Sequence, residues 1–191
     1  FDRARHVLVD FPAGRSGVGT MKHYLCVDLG SLQDYTAIAD LERVQRFRAK
    51  DSLPGTEAFE EEDRVIISEY HLRLLERPPL GVKYPDVVDY LVTLLHTNIL
   101  AGRTTLLVDA TGAGVPVIQW MREAGLKPVP IMITKGNEVT QSKIGGWNVP
   151  KRDLISALQL IFQTRRLKIA DDLALKQEFK NELENFKLKF T

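Results

Sequence analysis

The order of the hydrophobic patterns along the chain constrains its fold more than any other feature. Three early segments carry period-two alternation or short apolar runs, which predict successive antiparallel strands. Helical periodicities then alternate with two more strand patterns, and strands joined through helices pair in parallel with right-handed crossovers. The sequence therefore predicts an α/β fold with a mixed five-stranded sheet, three antiparallel strands followed by a βαβαβ series. The predicted strands are residues 24–28, 35–43, 65–70, 104–108 and 128–133, and the predicted helices run from Pro85 to His96 and from Pro116 to Gly125.

The last third of the chain is predicted to contain two more helices and a strand. A polar loop, residues 134–148, precedes Pro150, where the first helix should begin, and residues 173–183 should form the second. Residues 186–190 alternate with period two and predict a strand whose partner is missing. The apolar face of the first helix is expected to point inward, as is Trp120 on the preceding helix. That face consists of Leu154, Ala157, Leu158, Ile161 and Phe162.

Composition excludes several classes of protein. The 191 residues are enough for about one domain, 44% are hydrophobic, and 26 basic side chains nearly balance 25 acidic ones. The single cysteine, Cys26, cannot form an internal disulfide, and no apolar run reaches the ~18 residues that a membrane span needs. We therefore expect a cytoplasmic protein with no membrane partner. Because the chain opens at Phe1 and closes on a strand pattern, we expect it to be a piece of a longer protein.

Residues 1–20 are expected to be a loop or an interdomain linker. Their Gly14-x4-Gly19 spacing is that of a phosphate-binding loop, but Thr20 stands where that motif needs lysine. The following residues predict a strand, whereas a phosphate-binding loop leads into a helix. Residues 45–64 are rich in charge around Pro54-Gly55 and are expected to be a solvated excursion between two strands.

Two aspartates stand where chemistry is expected. Asp28 and Asp109 each end an apolar strand and precede a turn, and in the predicted sheet both would emerge at one edge. Hard divalent cations take oxygen ligands, and two-metal sites for phosphoryl chemistry hold their ions ~3.5–4 Å apart across a shared carboxylate. Aspartates also commonly cap strands and form turns, so either aspartate alone is weak evidence for a functional role. The placement of the two together predicts a metal site.

Three motifs carry a family resemblance that runs through residues 22–190. Residues 24–38 (YLCVDLGSLQDYTAI), 106–116 (LLVDATGAGVP) and 145–154 (GGWNVPKRDL) resemble the nuclease domain of a tailed-phage terminase large subunit. The resemblance implies an RNase H-like domain, residues 21–191, that cuts concatemeric DNA during genome packaging with two Mg²⁺ or Mn²⁺ ions. It implies metal-binding and catalytic roles for Asp28 and Asp109.

The resemblance also implies partners. Double-stranded DNA would be the substrate, residues 1–20 would lead in from an upstream packaging ATPase domain, and the portal and the small terminase subunit would be partners in the bacterial host cell. The segment from Phe186 would start an extra C-terminal hairpin. The family's third acidic ligand lies on a final helix beyond that hairpin, so on this resemblance it would lie beyond Thr191, and the domain would be truncated before its last helix.

Basic residues after the fifth predicted strand are candidates for DNA backbone contacts. Such contacts use Lys and Arg together with helix N-termini, and would be largely independent of base sequence. A solvated face of mixed charge is the competing interpretation. The histidines have no metal-ligand spacing and are expected to be surface or packing residues. The candidate nucleic-acid-binding residues are Lys135, Lys143, Lys151 and Arg152.

Two alternative functions remain. The first is a non-catalytic DNA-binding or docking module of a packaging motor, favoured by the missing third carboxylate. The second starts from Asp28-Leu-Gly30 and residues 109–114, which also resemble the two phosphate loops of the actin and sugar-kinase ATPases. Those ATPases need two such domains, and this chain has room for one. Nucleotide binding would favour the ATPase, and metal-dependent cutting would favour the nuclease.

Overall fold

The computed structural model describes residues 21–30, 33–49, 64–112 and 114–186, and these form one mixed sheet with four helices. The strands are β1 (Lys22–Asp28), β2 (Ala37–Ala49), β3 (Arg64–Glu76), β4 (Thr104–Asp109), β5 (Val129–Thr134), β6 (Thr140–Gln141), β7 (Trp147–Pro150) and β8 (Leu167–Ile169). The helices are α1 (Tyr84–Leu95), α2 (Gly114–Glu123), α3 (Lys151–Gln163) and α4 (Lys176–Glu184).

The strand order across the sheet is β6-β7-β5-β4-β1-β2-β3-β8. Strands β1, β2 and β3 are antiparallel neighbours. Strand β4 pairs in parallel with β1, and β5 pairs in parallel with β4. This confirms the α/β class and the predicted order of three antiparallel strands followed by βαβαβ. The number of strands was wrong, because the described sheet has eight instead of five. The additional strands β6, β7 and β8 have two to four residues each, too few for a periodic pattern to be recognised.

The main core lies between the sheet and helices α1 and α2. Alternate residues of β1 and β4 point into it, including Leu25, Val27 and Val108, because successive strand side chains point to opposite faces. Helix α1 contributes Val87, Leu91 and other residues at three- and four-residue spacing. Its predicted start is confirmed, since Pro85 lies in the first turn.

Helix α3 begins where it was predicted, directly after Pro150, but its apolar face is not buried. Leu154, Leu158 and Phe162 keep between 36% and 39% of their surface exposed. Trp120 on α2 was also wrongly placed in the core, because it is 44% exposed and lines a cavity beside the start of α1. The sequence pattern identified both amphipathic helices, but it could not show how much of each face the sheet covers.

The last helix begins later than predicted. Helix α4 starts at Lys176, and Leu173 instead packs with Leu72 and Ala170 in a second, smaller apolar cluster. Residues 45–49 belong to β2 and Arg64 to β3, so the predicted excursion is shorter than expected. Its remainder, the linker 1–20 with its glycine spacing, and residues 187–190 of the predicted final strand lie outside the described residues. None of the described helices is long and apolar enough to cross a membrane.

The difference in burial between two leucines predicts that the same substitution destabilises the fold at one position and is neutral at the other. Leu91 is fully buried on α1, whereas Leu160 on α3 is 52% exposed. We expect Leu91→Ala to lower the free energy of unfolding by about 2–5 kcal/mol through lost apolar burial and the cavity left behind. Leu160→Ala should change it by no more than about 0.5 kcal/mol. Urea unfolding of the two variants checks this, and equal losses would contradict the core as described.

Candidate metal centre

Asp28 and Asp109 end neighbouring parallel strands and lie opposite each other in register. Adjacent strands are about 4.8 Å apart, so the two carboxylates emerge side by side at the carboxyl edge of β1 and β4. Their preceding neighbours Val27 and Val108 point into the main core, which directs both aspartates to the sheet face away from α1 and α2. This juxtaposition was expected from the sequence, and a role of the two aspartates as metal ligands stays a prediction.

The electrostatics show that the two carboxylates interact. The pKa of Asp28 is raised above its usual value, first by partial burial and then by the negative charges of Asp109 and Asp34. Asp28 nevertheless remains accessible to solvent. A cation placed between these carboxylates would relieve their repulsion.

Asp109 is held in place by the turn that follows it. Its Oδ1 accepts a hydrogen bond from the backbone N–H of Thr111 at 2.8 Å, and the hydroxyl of Thr111 accepts one from Ile133 N at 2.9 Å. Helix α2 begins at Gly114, close to the Asp109 carbonyl. The amino end of α2 therefore lies next to the backbone of Asp109. This short turn ties Asp109 to β5 and α2 at once.

A third carboxylate, Asp34, reaches the same edge through the connection between β1 and β2. Gly30 allows this connection to close, because a Cβ at this position would lie 2.1 Å from the Asp34 carbonyl oxygen. The backbone of Gly30 also accepts a hydrogen bond from the Tyr84 hydroxyl at 3.0 Å and donates one to Thr36 Oγ1 at 3.1 Å. Asp34 was not among the site residues predicted from the sequence. The signal was its place in a hairpin connection, which returns the chain to the edge it left.

Oxygen donors of this kind fit a hard divalent cation. Mg²⁺ is commonly held by one or two carboxylates, with waters and substrate phosphates completing its shell. Asp28 and Asp109 meet that requirement for one ion. Within residues 21–30, 33–49, 64–112 and 114–186, however, no three His, Cys, Asp or Glu side chains are grouped closely enough to form a metal site. A second ion would need further oxygen ligands from the substrate or from other residues.

The four predicted nucleic-acid-binding residues are exposed but do not form one cluster. Lys135, Lys151 and Arg152 follow the carboxyl ends of β5 and β7, the same edge of the sheet as the aspartates. Arg152 donates to the Asn137 carbonyl at 2.7 Å, so part of its capacity is already used. Lys143 lies in the turn between β6 and β7, beside α2, where Arg122 donates to the Ile144 carbonyl. Three of the four therefore lie at the same edge of the sheet as the carboxylates.

None of the histidines that the structure describes takes part in this site. His23 is buried with its Nδ1 2.8 Å from Asp40 Oδ2, and His71 is buried against Glu69 and Glu42. Burial lowers the pKa of His71. These groups lie on β1, β2 and β3, and Arg73 Nε donates to Glu42 Oε2 at 2.7 Å in the same region. The histidines with buried packing roles are thus parts of a structural polar network.

Comparison of the chain with protein-family models, with curated proteins and with solved structures gave no match. The assignment of this candidate site therefore rests on the residues and geometry described above.

The raised pKa of Asp28 predicts how its removal changes stability. A carboxyl whose folded pKa exceeds its unfolded value near 3.8 favours folding below that value, and this contribution is lost as pH rises through the folded pKa. We therefore expect Asp28→Asn to raise the melting temperature at pH 7 in EDTA and to have little effect at pH 3. Because solvent screens the exposed part of the group, the gain should be at most about 2–4 °C, the shift that roughly 1 kcal/mol gives in a chain of this size.

Thermal melts with Mn²⁺ complete this test. Mn²⁺ should stabilise the wild type and Asp89→Asn, which removes an exposed carboxylate on α1, but not Asp28→Asn. Equal stabilisation of all three proteins would exclude Asp28 as a metal ligand.

Proposed function

We propose that this chain is the metal-dependent endonuclease domain of a phage or prophage terminase large subunit, with an RNase H-like fold. The observation that carries the proposal is the register of β1 and β4, which places Asp28 directly opposite Asp109 at the carboxyl edge of a mixed sheet. The βαβαβ order and the resemblance of the three sequence motifs support the same proposal. The reaction would be hydrolysis of phosphodiester bonds in concatemeric DNA during genome packaging.

The chain's own residues would bind and orient the reacting groups. Asp28 and Asp109 would hold the Mg²⁺ or Mn²⁺ of the site, whose chemistry is to activate water and to neutralise charge on the phosphate. Asp28 must be deprotonated to bind a cation, and its raised pKa makes this step depend on pH. The turn at Thr111 keeps Asp109 oriented, since Thr111 N–H donates to its carboxylate.

Basic residues at this edge would hold the DNA substrate. Lys135, Lys151 and Arg152 extend the site toward β5 and β7, and contacts from such residues to phosphates position DNA without reading its sequence. The upstream packaging ATPase, the portal and the small terminase subunit are proposed partners in the bacterial cytoplasm. These partners rest on the motif resemblance.

A second candidate is a non-catalytic DNA-binding module of the same packaging machine. This candidate is favoured by the small number of possible metal ligands. Among the described residues, no three acidic, histidine or cysteine side chains are grouped closely enough to hold a metal ion. Such a module would bind duplex DNA in EDTA and leave it uncut with Mn²⁺. Cutting is therefore the property that separates the two candidates.

The nuclease proposal is tested by nicking of supercoiled plasmid with Mn²⁺, Mg²⁺ or EDTA. We expect the wild-type chain to nick with Mn²⁺ and not with EDTA. Asp109→Asn should reduce the rate by about 10- to 100-fold or more, since it removes a metal-binding charge while keeping the side-chain shape, and loss of even an outer-shell partner of a metal ligand has an effect of that size. Asp89→Asn on α1 serves as the matched control and should cut at the wild-type rate.

The melting temperature of each variant shows whether its fold is intact. Unchanged cutting by Asp109→Asn would remove this residue from the mechanism. DNA binding without cutting, both by this chain and by one extended by about 50 residues to include the third acidic ligand that the resemblance implies, would favour the non-catalytic module.

A further inference from the structure

A basic cavity lies at the end of the sheet opposite to the candidate metal centre. It has a volume of about 640 Å³ and opens between the amino end of β1, the turn before β4 and the facing part of β2. Its lining includes Lys22, Arg43 and Arg103 together with Thr105. Asp28 follows Lys22 by six residue steps along β1, which correspond to about 20 Å at ~3.3 Å per step. The cavity is therefore distinct from the carboxylate pair.

Among the described residues, the cations of this cavity have no acidic partners. None of the lining residues carries a carboxylate, and none of the three cations forms an ion pair with a carboxylate of the described chain. Lys22 Nζ lies 5.4 Å from the centroid of the Tyr24 ring. Positive charges brought together without a counter-charge repel one another, so their convergence favours an anionic ligand.

A buried donor at Arg43 points to the same conclusion. Arg43 Nε is buried and has no hydrogen-bond acceptor in the described structure. Leaving a buried charged donor unsatisfied costs more than the average hydrogen bond contributes, so such groups usually have a partner. The guanidinium group remains charged at all physiological pH values and presents its N–H groups in a fork that suits phosphate oxygens.

The backbone holds the cationic groups in a defined geometry. Lys22 and Arg43 are register partners on antiparallel strands, so their side chains leave the sheet on the same face. Gly102 adopts the left-handed region with φ of 71°, and His23 N donates to the Arg103 carbonyl at 3.1 Å. This turn fixes Arg103 next to the start of β1.

We propose that this cavity binds a phosphate group, with Arg43 and Arg103 as its principal ligands. Three cations, one of which is Arg43 with its buried Nε, and the hydroxyl of Thr105 provide donors for the phosphate oxygens, and none of the described lining residues is acidic. The phosphate could belong to the DNA backbone or to a small phosphate ester. The site stands independently of the proposed nuclease activity, because it uses none of the residues at the carboxyl edge.

Titration with inorganic pyrophosphate and with a 20-base-pair duplex, both in EDTA, tests the site. The variants are Arg43→Gln and Arg103→Gln. The control is Lys127→Gln, which removes an exposed positive charge at the same end of the sheet, outside the cavity. We expect each arginine variant to weaken pyrophosphate binding about ten- to hundredfold, as loss of a charge-assisted hydrogen bond does. The control should bind pyrophosphate like the wild type.

The duplex arm identifies the source of the phosphate. If the DNA backbone occupies the cavity, each arginine variant should also reduce the slope of log affinity against log salt by about 1, whereas the control keeps the wild-type slope. If only pyrophosphate binding weakens, the ligand is a small phosphate ester. Both results support the site.

Two results would overturn the proposal: no pyrophosphate or duplex binding by the wild type, or arginine variants indistinguishable from Lys127→Gln. Arg103 is exposed, so its variant keeps the test valid if Arg43→Gln fails to fold. Plasmid nicking with Mn²⁺, measured separately, reports on Asp28 and Asp109. The nicking assay can thus contradict the proposed nuclease activity while the titrations support the phosphate site. The titrations can likewise contradict the phosphate site while the nicking assay supports the nuclease.

Discussion

The parallel pairing of β1 with β4 is the interaction on which the rest of the structure depends. It joins the antiparallel part of the sheet to the βαβαβ part, and its register from His23 and Thr104 to Asp28 and Asp109 fixes both ends of the molecule. At the carboxyl end it brings two negative charges together. At the amino end the same pairing aligns the turn of Arg103 with the start of β1. A shift of one residue in the register of β1 against β4 would move the side chains of the shifted strand to the other face. It would separate Asp28 from Asp109 and the Arg103 turn from the start of β1.

The core and the candidate site use opposite faces of the same two strands. Val27 and Val108 point toward α1 and α2, and the alternation of strand side chains then leaves Asp28 and Asp109 on the other face. Burial of the valines therefore orients the aspartates without any contact between the two sets. The stability of the main core and the geometry of the carboxylate pair are coupled through the backbone, which explains how a half-exposed charged pair can be held in place.

The parts of the fold that the sequence predicted were those with long periodic patterns. Helix α1 and strands β1, β4 and β5 have enough residues for their periodicity to identify both type and orientation. Strands β6 and β8 have two and three residues, too few for a periodic pattern, and β8 also pairs with β3, which is distant in the sequence. The prediction that Trp120 and the apolar face of α3 are buried was wrong for a related reason. An amphipathic pattern shows which side of a helix is apolar, but the packing of other elements decides how much of that side is covered.

The candidate site was predictable to a similar degree. Asp28 and Asp109 could be paired from the sequence because strand ends and parallel topology are enough to place them at one edge. Asp34 required the closed loop that Gly30 permits, and the basic cavity required the strand register that sets Lys22 beside Arg43. In both cases the partners come from different elements, and neighbouring sequence carries no sign of the contact. Charge arrangement in space is thus the property that the structure adds. It divides the sheet into a carboxylate edge suited to cations and an opposite end suited to phosphate.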